Sequence, residues 1–428
     1  MTHKLNILIA GAGLGGLAAA VALSIDGHHV TVLEAASEFG EIGAGIQVTP
    51  NVTRILHRWD LAESLGRYGC TPETVTQLRW DDGTQLTRFS INRDGRMERE
   101  YGYKYYHIHR KDLHRMLLET AQRRGAIVKV NCGVVHYTTS SEGLPQAVVT
   151  QDGFRHSADL IIAADGCRST LGRFVVGSEI KAEPTGDSAY RALLTRQQVQ
   201  DAELEIPELA SGSVVWLGPG SHVVGYYVDG GRLYNLVIVV PTGDEVNEES
   251  WKLPGKMERL RAHFAGWDPR LRRLLSKIDK SLLWNLYDRG GLSQWVHPVG
   301  NLVLIGDAAH PMLPYVAQGA ASAVEDAAAL AECLKLVSEK CSLREALTMY
   351  ARLRIPRTSA MRTAGQKNRV YFHLPDGPEQ QQRDADLQKY DETGETPNQL
   401  NNSKVLAAMY GYDIVKDVRR EYEANQAI

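Results

Sequence analysis

The stretch that most constrains this chain lies within its first 34 residues. Leu5-Asn6-Ile7-Leu8-Ile9-Ala10 reads as a buried strand, Leu14 to Ile25 as a small-residue helix closed by Gly27, and His29 to Glu34 as a second strand. The turn between the first strand and the helix is Gly11-Ala12-Gly13-Leu14-Gly15-Gly16, a G-x-G-x-x-G pattern, and Glu34 follows Gly11 by 23 positions. With 39 glycines in 428 residues the six-residue pattern alone is weak. Its setting is what carries weight. Gly11, Gly13 and Gly16 let the backbone turn tightly and approach a pyrophosphate, the helix start offers free N–H groups, and Glu34 can accept hydrogen bonds from a ribose. The βαβ unit therefore predicts an α/β, Rossmann-like dinucleotide-binding domain.

Two further strands end in glycine turns. Ala158 to Ala164 stops at Asp165-Gly166, and Asn301 to Ile305 stops at Gly306-Asp307. Between them the texture changes. Ser213 to Leu217, His222 to Val228 and Leu233 to Val240 are β-rich runs separated by Gly218-Pro219-Gly220 and Asp229-Gly230-Gly231, which reads as an antiparallel meander. Arg259 to Ile278 is helical by spacing, and Pro298-Val299-Gly300 marks the return to the first domain. The expected organisation is a discontinuous cofactor domain over 1–72, 98–185 and 296–370, with an inserted antiparallel β-sheet substrate domain over 73–97 and 186–295. A C-terminal lid and helical segment takes up 371–428, in which His373 to Asn402 is too polar to build a core and reads as a surface loop or lid. Active sites favour such domain seams.

Composition narrows the function classes. Lys and Arg number 48 against 51 Asp and Glu, a net charge of −3, so nothing draws the chain to nucleic acid. The longest Ala-rich run, Ala317 to Leu336, carries Glu325, Asp326, Glu332 and Lys335, which argues against a membrane span. The start lacks a secretory pattern and the end matches no lipidation signal. Cys70, Cys132, Cys167, Cys333 and Cys341 are odd in number and form no C-x-x-C pair. A reducing, cytoplasmic setting is expected. The histidines, among them His107, His109, His297 and His310, show no metal-ligand spacing, so no metal is expected.

Taken in order, Gly11 to Gly16, Glu34, Arg110 in His-Arg-Lys-Asp-Leu, Asp165-Gly166-Cys167-Arg168-Ser169 and Gly306-Asp307-Ala308-Ala309-His310-Pro311 resemble the class A single-component flavoprotein monooxygenases. The likeness is strongest to salicylate hydroxylase and related phenol hydroxylases, including fungal dearomatising ones. It runs from about residue 5 to about residue 372, with a weaker echo at Tyr410-Gly411-Tyr412-Asp413. The resemblance implies noncovalent FAD, NADH or NADPH as a transient co-substrate, and O2. It also implies transfer of oxygen from a C4a-hydroperoxyflavin to a small phenolic or hydroxybenzoate-type substrate, in a monomer or homodimer.

The same resemblance suggests roles for single residues, each with a plainer alternative. Asp307 would accept a ribityl hydroxyl, or cap a helix. Arg110 would hold pyrophosphate or ribityl oxygens, or pair with Asp112. Gly45, within Gly43-Ala44-Gly45-Ile46-Gln47, would offer backbone to the flavin ring, and Asp165 would serve flavin and NAD(P)H contacts. The amide near Ala320, at the start of a small-residue helix whose dipole favours negative charge, would contact the flavin; the alternative is a close helix–sheet contact. On the substrate sheet Arg191 and Tyr226 are the catalytic candidates, an arginine to stabilise a phenolate or carboxylate and a tyrosine to orient it. An inter-domain salt bridge and a packed strand aromatic are their alternatives, and a solvated strand end is that of His222. Tyr227 replaces the proline usual after the tyrosine. The sequence has no second G-x-G-x-x-G in a strand–helix setting, so a separate nicotinamide domain is not expected. A flavin oxidase or dehydrogenase on the same fold, or a non-catalytic FAD-fold binding protein, are the competing functions.

Overall fold

The computed structural model describes residues 4–40, 44–139, 146–204, 206–243, 253–298, 301–389 and 400–426. The β-branched run of the first strand pairs in parallel on both sides. The sheet order is Leu302–Leu304, Leu160–Ala163, Asn6–Ala10, His29–Leu33 and Ile127–Lys129, with every pair parallel. Strands buried on both faces read as continuous apolar runs, which is why Leu-Ile-Ile-Ala and Leu-Val-Leu carry no polar alternation. The helix Leu14–Ile25 starts and ends where the spacing predicts. It packs against the helix Gly319–Leu334 through small side chains, and a Cβ on Gly15 would lie 3.3 Å from Cβ of Ala323. The two helices thus approach closely above the strand ends.

The second large sheet has eight strands. Its order is Leu253–Pro254, Leu282–Asp288, Glu183–Thr195, Leu233–Pro241, Ser221–Val228, Gly212–Gly218, Thr74–Arg79 and Gln85–Ser90. The meander is antiparallel as expected, but Gly212–Gly218 runs parallel to Thr74–Arg79, so the sheet is mixed rather than wholly antiparallel. One face is covered by a core of Trp216, Tyr234, Leu271 and Leu274 among others. A small pair, Gly45–Val48 against Tyr106–His109, bridges the two sheets; its Gly45 N–H donates to Asn235 Oδ1 at 2.7 Å.

Two expectations from the sequence need correction. The helical stretch Arg259 to Ile278 is two helices, Met257–His263 and Pro269–Ser276. Pro269 lacks an N–H and drives Asp268 out of the helical region, and the Asp268 carboxylate then accepts from Arg270 N at 2.9 Å and Trp216 Nε1 at 3.0 Å. The polar segment after His373 is not loop throughout, since Pro378–Gln388 is a helix with Gln380, Arg383, Asp384 and Leu387 buried. Polar residues close its contact beside Leu387, which packs with Leu86 and Phe372: Arg383 donates to the carbonyls of Tyr371 and Phe372, and Arg79 pairs with Asp384 at 3.0 Å. Gly43, Val299, Gly300 and 390–399 of the expected lid lie outside the described residues. Among the described residues no helix is long and apolar enough to cross a membrane.

Candidate active site

The C-terminal ends of the parallel strands, the start of helix Gly319–Leu334 and one face of the eight-stranded sheet enclose a cavity of about 330 Å³. This is where open α/β sheets place ligands. On the parallel-sheet side its walls are mostly backbone. Gly11 has φ of +102°, and a Cβ there would stand 2.4 Å from the Ala164 carbonyl oxygen. At Gly16 a Cβ would meet the Gly11 carbonyl oxygen at 2.0 Å, so the first helix packs this closely only on glycine. At Gly13, Gly166 and Gly319, by contrast, a Cβ would meet nothing within 4 Å. Gly13 caps its helix without a side-chain hydrogen bond and no acid stands in the first turn, so the helix start faces the cavity with its N–H groups uncovered.

Side chains close this end. Arg110 lines the cavity, and among the described residues no carboxylate lies within ion-pair distance of its guanidinium. Asp112, its alternative partner, binds Arg115 at 2.8 Å instead. The Asp307 carboxylate is enclosed by the walls yet open to the cavity; enclosure pushes its pKa up, opposed by His310 and Arg110. The Gly306–Asp307 turn is held from behind by Asp326 of the Ala-rich helix, which accepts from Gly306 N at 2.9 Å, His310 Nε2 at 2.5 Å and Arg354 Nε at 2.7 Å. Its neighbour Glu325 takes Arg354, Arg357 and Asn51. Burial alone would raise both carboxyl pKa values, but the positive partners outweigh it and both are lowered. Ala317, in the loop before this helix, has φ of +53°, a strained setting for alanine at the cavity wall.

The eight-stranded sheet presents side chains. Arg191 stacks on Trp284, its guanidinium carbon 4.6 Å from the ring centroid, and its buried Nε has no hydrogen-bond partner. Burial, with Arg110 as a like charge, lowers its pKa to about 10, and Tyr226 opposes the shift. The inter-domain salt bridge is absent among the described residues. Tyr226 is buried and packs on His107 at 4.2 Å between centroids; its phenol oxygen accepts from the Gln47 side-chain amide, whose Oε1 in turn accepts from the Tyr105 hydroxyl. Burial raises its pKa well above the phenol range, so it stays a neutral donor. His222 is buried on the cavity wall, not solvated at a strand end.

Of the residues singled out from sequence, Gly13, Gly45, Arg110, Asp307, Ala320, Arg191 and Tyr226 line this one cavity. Four others stand behind the wall. Gly11 and Gly16 shape the first turn. Glu34 accepts from Ala12 N at 2.7 Å and Ala36 N at 2.9 Å, holding that turn. Asp165 accepts from Ser169 Oγ, Thr170 N and Leu171 N, so it organises the turn and leaves Gly166 to face the cavity. Sequence reasoning missed Trp284 and Asn235, which carry no motif; the alternation of their strands was the available signal. The Asp326–Arg354 pairing was missed as well, because the two residues come together only when their helices pack.

Residues 4–365 match the family model described as an FAD binding domain, and the chain belongs to that family. It is an FAD-dependent monooxygenase. It is 34% identical over 416 residues to the FAD-dependent monooxygenase OpS4 of Beauveria bassiana (strain ARSEF 2860), covering 96% of each chain. With the 3-hydroxybenzoate 6-hydroxylase 1 of Aquipseudomonas alcaligenes it shares 35% over 364 residues, 84% of this chain and 87% of that one. A solved salicylate hydroxylase substrate complex superposes with a TM-score of 0.78 over 98% of both chains at 24% identity, which shows the shared fold. The cavity fits the cofactor on its own terms: open space beyond Gly13 and Gly319, an uncovered helix start, an unpaired Arg110 and the open carboxylate of Asp307.

Proposed function

We propose that this chain hydroxylates a phenolic or hydroxybenzoate-type ring, with FAD held noncovalently and NADH or NADPH as the electron donor. The observation that carries the reading is that Arg191, half-buried with an enclosed and unpartnered Nε and no carboxylate partner among the described residues, shares one cavity with the glycine-lined cofactor cradle. A cation drawn partly out of water without a counter-charge is unfavourable, so the site suits an anion. Gly11 to Gly16 with Arg110 would hold the pyrophosphate, Asp307 the ribityl chain, and the Gly319–Ala320 amides the polar edge of the ring system. Bound FAD supplies the reduction of O2 and the electrophilic oxygen. The chain's own residues do the rest. Arg191 stabilises a phenolate or ring carboxylate, its plane fixed on Trp284; Tyr226, kept protonated and oriented through Gln47, donates to the substrate. Val224, Val237 and Met312 form apolar wall that keeps water away from the reacting ring.

The sheet memberships support reading 73–97 and 186–295 as the substrate side and 1–72, 98–185 and 296–370 as the cofactor side. The five cysteines, none bonded to another, support action in the cytosol, and the net charge of −3 supports a small molecule and not nucleic acid as the target. The test is turnover of a panel of phenols and hydroxybenzoates under labelled dioxygen. One labelled oxygen in the product is expected; peroxide without labelled product would mark an oxidase and overturn the reading.

A further inference from the structure

The segment from Leu313 to Gln318 joins the two walls of the cavity and is tied at both ends. Leu313, Pro314 and Ala317 line the cavity, whereas Tyr315 and Gln318 are buried in the protein behind it. Gln318 is held to the start of the helix Pro50–Arg58: its Oε1 accepts from Asn51 Nδ2 at 3.3 Å, and its Nε2 donates to Thr49 Oγ1 at 3.3 Å. Tyr315 is held to the eight-stranded sheet. Its hydroxyl donates to the carboxylate of Asp187, on the strand Glu183–Thr195. That carboxylate also takes Arg369 of the helix Leu343–Phe372, through Nε at 2.5 Å and Nη2 at 3.0 Å. Asn368 of the same helix donates to the Tyr315 carbonyl at 2.7 Å. Between the two ties stands Ala317 with its φ of +53°, a conformation that persists only where the surroundings impose it.

The tie at Tyr315 reaches the groups that face the substrate. Asp187, Ala189 and Arg191 alternate onto one face of their strand. The Tyr315 ring packs with Ala189, Val239 and Leu286 against Val237 and Trp284, and Trp284 carries the Arg191 guanidinium. His222 and His373 stand by the same ring at 5.6 and 5.7 Å, hydrogen-bonded to each other at 2.8 Å and kept neutral by burial. Burial, with Asp187 beside it, raises the Tyr315 pKa well above the phenol range, so its hydroxyl keeps the proton it donates.

Resting on the reading above, we propose that Asp187, Tyr315 and Arg369 form a clasp that sets how far Arg191, with the substrate it holds, stands from the flavin seat at Gly319–Ala320. None of the three lines the cavity, so each is a positioning residue. Oxygen transfer needs the reacting atoms about 3–3.5 Å apart, and a misplacement of about 1 Å can cost on the order of 10²-fold. Once Tyr315 is released from Asp187, Ala317 can relax to negative φ, and Leu313 and Pro314 shift at the cavity wall with it. The substrate ring then no longer meets the flavin at the productive distance, although Arg191 and the cofactor cradle are both intact.

The test compares FAD-loaded Tyr315→Phe, which removes one hydroxyl, with Arg369→Met and Arg369→Lys. Turnover is measured on the phenol or hydroxybenzoate that wild type hydroxylates best, and visible circular dichroism of the bound flavin, read without substrate, reports how the ring is seated. Tyr315→Phe and Arg369→Met should keep FAD and a KM near that of wild type, while product per NAD(P)H falls by about tenfold, peroxide rises and the flavin signal changes. Arg369→Lys, which restores a cation to Asp187, should recover most of the coupling. A clasp that only stabilises the fold would lower the melting temperature and leave both coupling and the flavin signal at wild-type values. That result overturns the proposal and leaves the proposed function standing. If wild type hydroxylates no phenol or hydroxybenzoate, the function falls instead, and the flavin signal of Tyr315→Phe alone decides the clasp: changed, it supports it; unchanged, it overturns it.

Discussion

The two walls of the cavity are built in opposite ways. The parallel-sheet wall presents mostly backbone: Gly13 at the start of a helix, shaped from behind by Gly11 and Gly16, and the Gly306 turn, with Arg110 and Asp307 as its charged side chains among the described residues. The eight-stranded wall works through side chains standing on rigid strands, Arg191, His222, Tyr226 and Trp284. Backbone recognition needs glycine at fixed spacing and tolerates almost nothing else, whereas a strand accepts any side chain its face can hold. The first wall suits a cofactor that does not change, and the second is free to set the substrate.

The sharpest way to break this contrast is Gly16→Val. The added side chain would collide with the Gly11 carbonyl, and bound FAD should fall to near zero, read as flavin absorbance per protein. Full occupancy would mean that the backbone cradle is not the cofactor site. The next effect concerns the support behind that cradle. Arg354→Met leaves Glu325 and Asp326 buried with reduced compensation and should cost about 3–5 kcal/mol in denaturant unfolding of the FAD-loaded enzyme. A loss under about 1 kcal/mol would show that Arg357 and His310 suffice.

The same contrast explains what could be read without a structure. The parallel-sheet wall was legible because its physics forces a pattern: Gly-x-Gly turns after apolar strands, Glu34 at the next strand end, Gly306-Asp307 far downstream. Arg191 and Tyr226 were reached only through a family resemblance, and Trp284 and Asn235 not at all, since a residue on one strand face carries no local mark of what lies across the cavity. The mixed sheet was hidden because pairing Thr74–Arg79 with Gly212–Gly218 joins segments more than 130 residues apart. The helix Pro378–Gln388 was hidden because it brings a single apolar residue, Leu387, to its buried face beside Arg383 and Asp384, which look like solvent-facing residues until their partners are known.

A smaller effect sharpens the comparison from the substrate side. The pKa of His373 is lowered to about 4 and that of His222 is also lowered, so the unfolded chain binds more protons between about 6.5 and 4. The stability tied to the neutral pair is complete above about pH 6.5 and is lost as pH falls toward 4. The melting temperature of wild type should therefore drop more steeply over that window than that of His373→Gln. Parallel curves would place the acid sensitivity elsewhere.

The most direct test of the two-wall account is the fate of electrons in Arg191→Ala and Tyr226→Phe, with FAD content, melting temperature, product and peroxide measured on the same preparations. Both variants should keep FAD, because the cofactor is held by the other wall. Both should lose hydroxylation by about 10²-fold or more while peroxide released per NAD(P)H rises, since a misplaced ring leaves reduced oxygen without an acceptor. Near wild-type coupling in both, with only a lowered melting temperature, would contradict the account and move the substrate away from these side chains.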